Sequence, residues 1–125
     1  MAKATLKEIK WLSDAEAHDY SAAQSYLSLI YGAAQVRKMV AKLRRTSVVQ
    51  FKAKDIFRAS QLSLLGVSNS HVENDREKIR KDQRLAPLLL IRDALHGKVV
   101  IADGYHRLCA IYSFDEDAWI KCKIV

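Results

Sequence analysis

The stretch Val99-Val100-Ile101-Ala102 passes through Asp103-Gly104 into Tyr105-His106-Arg107 and then into an apolar run at helical spacing. This handover restricts the fold more than any other feature of the chain. The β-branched run reads as a strand. Leu108, Ile111 and Tyr112 fall on one face of a helix. A Gly between the two permits a tight turn and leaves room for a ligand beside the backbone. Strand, turn and helix must therefore follow without a spacer, with hydrogen-bonding side chains at the helix start.

The rest of the chain divides on the same grounds. Ser13 or Asp14 can cap a helix with Glu16 in its first turn. From Tyr20 the apolar positions Ala23, Leu27, Ile30, Ala34, Val36, Met39, Val40 and Leu43 keep a 3.6-residue period, with Gly32 marking a bend or a break. Ser47-Val48-Val49-Gln50-Phe51-Lys52-Ala53 reads as a strand, and a short helix begins near Lys54. Asn69 or Ser70 can cap a polar helix with only Val72 and Ile79 to bury. The short apolar run from Pro87 to Asp93 suits a buried strand, and Ala118 to Val125 a final one. Strands and helices are mixed rather than strictly alternating, so the expected class is α+β.

A length of 125 residues suits a single domain, with a helical segment over 1–47 and a mixed core over 48–125. No stretch reaches the roughly 18–20 apolar residues of a membrane span, and the first 18 residues lack the apolar core of a signal peptide. Cys109 and Cys122 form neither a close pair nor a disulfide framework and read as small apolar side chains, which fits a reducing cytoplasm. Trp11 and Trp119 read as core or subunit contacts.

The net charge of +7 is uneven. Residues 1–47 carry eight basic and four acidic side chains, 48–92 nine and five, and 93–125 four and five. The excess lies near 37–45 and 76–84, on what read as helices with one charged face. Such a face is either solvated or attracts a polyanion.

At the junction, a helix N-terminus offers unpaired N–H groups and a positive dipole end, where a phosphate is stabilised. His106 and Arg107 add donors, and Arg grips phosphate with two parallel bonds. Asp103 can cap the helix or hold a Mg²⁺ that a nucleotide brings. Gly104, Tyr105, His106 and Arg107 thus read either as a phosphate cradle or as a plain capped helix start. The turn is neither a P-loop nor a dinucleotide fingerprint.

The order of these segments from about residue 50 onward resembles the ParB/sulfiredoxin-like superfamily. More narrowly, the stretches at 51–62, 71–79, 85–93 and 101–110 resemble small bacterial ParB-like proteins of unassigned function. The resemblance implies a small mixed sheet with flanking helices and a Gly-x-His-Arg turn that binds nucleotide phosphates. It also implies that the preceding polar helix lines the pocket, here with His71, Asn74 and Lys78 at i, i+3 and i+7. Two departures narrow it. Tyr105 stands where sulfiredoxins carry their reactive Cys, so a sulfinic-acid reductase is not expected. The Gln-Pro-Arg stretch of partitioning proteins is absent, Asp55 to Ser60 taking its region, and no helix-turn-helix follows.

Two readings result. In the first, the chain binds a nucleoside triphosphate with Mg²⁺ through Gly104, Tyr105, His106 and Arg107. His71, Asn74 and Lys78 line the pocket, and Arg58 or Lys54 closes it. Phosphoryl transfer or hydrolysis would need a carboxylate base, for which Asp55, Asp75 and Asp103 are candidates. Asp55 can equally pair with Lys54 or Arg58 on a helix surface, and His71 with Asp75 is at most half a metal site. In the second reading the chain is a non-catalytic module whose basic helices bind nucleic acid or an acidic protein. A homodimer through the long N-terminal helix is a weaker variant, since the helix lacks heptads.

Overall fold

A computed structural model describes residues 8–66 and 68–125. In chain order the elements are α1 (Ala17–Leu27), α2 (Ala33–Arg45), β1 (Val49–Lys52), α3 (Ala53–Ser60), α4 (Ser70–Arg80), β2 (Leu88–Asp93), β3 (Lys98–Asp103), α5 (Tyr105–Phe114) and β4 (Trp119–Ile124). The strands form one mixed sheet in the order β1-β4-β2-β3. β1 is antiparallel to β4, β4 parallel to β2, and β2 antiparallel to β3. The α+β class is as the sequence predicts.

β2 explains the layering. Successive side chains of a strand point to opposite faces, and every residue from Leu88 to Ile91 is buried. Leu88 and Leu90 join a core with Ile56, Val72, Ile79, Leu108 and Ile111 of α3, α4 and α5. Leu89 and Ile91 join a second core with Ala23, Leu27, Val36, Val40 and Leu43 of α1 and α2. An uninterrupted apolar run is what a strand covered on both faces requires. Cys109 and Cys122 are buried in the first core as small apolar groups, and burial pushes the Cys122 thiol up to about 12.

The N-terminal helices are therefore a layer of the fold. Fully burying a Leu contributes about 1.5–3 kcal/mol, and Leu27 and Leu43 are fully buried against the sheet. Polar ties add to this. Lys123 of β4, only 4 % exposed, reaches the Asp14 carboxylate at 2.9 Å and donates to Tyr20 Oη at 3.0 Å and the Arg44 carbonyl at 3.2 Å. Tyr31 Oη donates to Asp93 at 2.9 Å. Tyr20 and Asp14 hold the Lys123 ammonium above its usual value against the cost of burial.

The N-terminal region departs from the sequence reading in two ways. The cap of α1 is Glu16, not Ser13 or Asp14. Asp19 reaches back to accept from the Glu16 N–H at 2.8 Å, while Asp14 is taken by Lys123 and Tyr20. The break read at Gly32 is present, α1 ending at Leu27 and Gly32 capping α2, but it takes Ile30 and Ala34 off the buried stripe predicted for them, and both are exposed. Asn69 caps α4 as read, its Oδ1 accepting from His71 and Val72 N–H. No helix among the described residues is long and apolar enough to cross a membrane.

Candidate functional site

The junction adopts the predicted form. β3 ends at Asp103, and Gly104 caps α5 in the left-handed region at φ 106°. Only Gly suits this position on two counts. The backbone conformation is rare for L side chains, and a Cβ would lie 2.7 Å from Leu88 Cγ and 2.9 Å from Arg107 Nη2. The space beside the glycine is thus filled by Leu88 and Arg107, which corrects the expectation that it leaves room for a ligand. No side chain caps α5. Leu108 N–H bonds the Gly104 carbonyl, and the N–H groups before it are the orphan donors of a helix start.

The turn sends its side chains to opposite layers. Arg107 Nη2 donates to Asp103 Oδ2 at 2.9 Å, and Nη1 lies 3.7 Å from Asp19 Oδ1 of α1. Asp19 is 3 % exposed. Burial outweighs the attraction of Arg107, and with Asp19 nearby it pushes the Asp103 carboxyl up to about 6. Arg107, predicted to grip phosphate, is engaged by two carboxylates. Asp103, predicted as a Mg²⁺ ligand, already faces a guanidinium, so it does not fit a second cation.

His106 faces the other layer. Its ring centroid lies 4.9 Å from that of His71 on α4. Burial lowers its pKa, helped by the His71 and Arg107 charges and opposed by Asp75. Asp75 stands 3.7 Å from Lys78 Nζ. His71, Asp75 and His106 therefore meet where α4 crosses the start of α5, with Lys78 behind Asp75 on α4. Tyr105 Oη donates to the Ser63 carbonyl, tying the turn to the loop after α3.

Asn74 is exposed on α4, one turn from His71. The predicted residues of α3 lie apart. Lys54 pairs with Asp117 at 2.7 Å, beyond the C-terminus of α5. That end is about 15 Å from Gly104 at the ~1.5 Å rise of a helix, so Lys54 does not close the site. Phe57 stacks edge-on with Tyr112, centroids 4.8 Å apart, which sets the middle of α3 beside the second half of α5. Asp55 and Arg58 are exposed on that helix. Of the three candidate bases, Asp75 is the one beside His106.

Two further features had no counterpart in the sequence reading. A cavity of about 630 Å³ lies at the far end of α5, lined by Trp11, Arg84, Phe114, Trp119 and Lys121 among others. It forms because Trp11 bridges to Leu85, a long-range pairing with no local signal. Glu16, His18 and Asp19 also bring ligand atoms within 4.8 Å of one another. Asp19 there already serves the α1 N-terminus and Arg107.

No family model, no curated protein and no solved structure matches the chain. The ParB/sulfiredoxin-like resemblance accordingly rests on its short motifs alone.

Proposed function

We propose that the start of α5 binds the phosphate of a nucleotide, through its free backbone N–H groups and the His71–His106 pair. The carrying observation is that Gly104 caps α5 with no side-chain acceptor while two imidazoles stand 4.9 Å apart beside it. Helix N–H groups and the dipole favour an anion there. A phosphate would favour imidazolium, so affinity rises as pH falls through the His106 pKa. Arg107 acts behind the site, holding Asp103 and α1 in place. The nucleotide part of the reading comes from the motif resemblance. Should turnover follow, Asp75 is the carboxylate placed to accept a proton.

Calorimetric titration of the wild type and His106→Ala with ATP, CTP and GTP, each with and without Mg²⁺, tests this. Binding should be saturable, weaken at least tenfold in the variant and tighten from pH 7.5 to pH 6. Absence of binding to every nucleotide by a folded wild type would overturn the proposal. Equal binding by both proteins would place the anion elsewhere.

A further inference from the structure

The two basic stretches of the sequence meet different fates. On α4 the cations are paired on their own helix. Arg80 Nη1 lies 3.0 Å from Glu73 and 2.8 Å from Glu77, Arg76 lies 3.4 Å from Glu73, and Lys78 lies 3.7 Å from Asp75. α2 has no acidic residue at all. Its Arg37, Lys38, Lys42, Arg44 and Arg45 are exposed, and none has a carboxylate partner among the described residues; Arg44, at the edge of the set, lies over the Tyr20 ring at 4.5 Å, which leaves Arg37, Lys38, Lys42 and Arg45 for a ligand. Asp14, beside Arg44, is held by Lys123.

These side chains form one face. At about 100° per residue they fall within an arc of roughly 160°, opposite the buried Val36, Val40 and Leu43. The negative end of the helix dipole accounts for cations in the last turn, but not for Arg37 and Lys38 in the first half. Beside this face runs a groove between α1 and α2 lined by Ser21, Gln24, Ser25, Ser28 and Arg37. Hydroxyl, amide and guanidinium groups are the usual donors to phosphate oxygens.

We infer that the exposed face of α2 binds the phosphate backbone of a double-stranded nucleic acid. Arg37 and Arg45 are about 12 Å apart along the axis, a span holding roughly three or four phosphates of one strand. A protein partner would need a buried apolar or aromatic anchor, and between the cations α2 presents only Ala34, Gln35 and Ala41. Single-strand binding would need stacking aromatics, which α2 lacks. The inference is independent of the α5 site.

The test is fluorescence anisotropy of the full chain with a labelled 16-base-pair DNA duplex, its RNA counterpart, and polyglutamate, between 50 and 200 mM salt. Four neutralised phosphates predict a log–log salt slope near −3.6, or roughly 150-fold weaker binding across that range. Arg37→Gln, Lys38→Gln and Lys42→Gln together should reduce the slope to roughly −1 to −2, with the helical circular dichroism unchanged. Arg80→Gln on α4 should leave the slope as in the wild type. Failure of both duplexes to bind at 50 mM salt overturns the inference. So does tighter binding of polyglutamate than of either duplex, or an equal loss in Arg80→Gln.

Discussion

The two faces of the sheet use polar residues in opposite ways. On the α1–α2 face, charged groups are joined across elements around buried members: buried Lys123 with the exposed Asp14 and with Tyr20, and half-buried Arg107 with half-buried Asp103 and buried Asp19. On the α3–α5 face the core is apolar, and the polar groups gather at its rim, where His71, His106, Asp75 and Lys78 remain half-buried or exposed. The turn from Asp103 to Arg107 supplies both faces. Arg107, in the first turn of α5, reaches back to Asp103 at the end of β3, while His106 turns to α4. Adjacent residues of one motif thus do different work, one locking a layer and the other facing a candidate ligand.

Gly104→Ala should damage both faces and have the largest effect. Backbone strain at φ 106° and the clash with Leu88 together predict a loss of about 4 kcal/mol, measurable by chemical denaturation. Arg107→Ala tests the lock alone. Removing the guanidinium leaves half-buried Asp103 and buried Asp19 without their shared cation, which predicts a loss of about 2–4 kcal/mol and faster amide exchange in α1. If stability falls by less than about 0.5 kcal/mol, in the range of an ordinary surface substitution, Arg107 does not lock the layer and regains its place as a phosphate ligand.

The sequence made the elements legible and their partners much less so. Leu88 to Ile91 and Val99 to Ala102 announce buried strands, because apolar runs of that length have few other uses. The turn at Gly104 was readable for the same local reason. Which carboxylate Arg107 meets was not, since Asp19 lies 88 positions earlier and reaches it only through the packing of α1. His71 is legible near the turn through the motif resemblance and the spacing along α4, but its ring contact with His106 is set by the packing of α4 on α5. Lys54 is placed at the site only by the motif resemblance of the 51–62 stretch, and its pairing with Asp117 shows how the direction of α3 carries it to the other end of α5.

Asp103 sharpens the comparison through pH. Its folded pKa, about 6, lies above the ordinary carboxylate value of 3.8. The folded state therefore binds the proton more tightly than the unfolded one. Stability linked to this group is full below about pH 4 and falls as pH rises to about 6, the reverse of a salt-bridged carboxylate with a lowered pKa. Asp103→Asn cannot titrate, so its stability relative to wild type should improve by about 1–2 kcal/mol between pH 4 and pH 7, a discounted share of a two-unit shift. Parallel urea denaturation at the two pH values reads this difference. A wild type that gains stability over that range more than the variant does would mean that Arg107, not burial, governs Asp103.

The smallest effect on stability belongs to the face that carries the candidate site. His71 is exposed on α4, and its ring contact with His106 lies outside the apolar core. His71→Ala should change stability by less than about 0.5 kcal/mol, the range of surface substitutions. Its effect on inorganic phosphate should nonetheless be large. Nuclear magnetic resonance of the His106 ring reports this directly. In the wild type, phosphate should raise the His106 pKa from its lowered position, because the anion favours imidazolium. In His71→Ala the resting pKa of His106 should already be higher, one opposing charge having gone, and phosphate should raise it less. Residues whose removal costs folding and residues whose removal costs only ligand would then fall on opposite faces of one sheet. A His71→Ala protein that unfolds as readily as Arg107→Ala would erase that division and make the histidine pair one more structural contact.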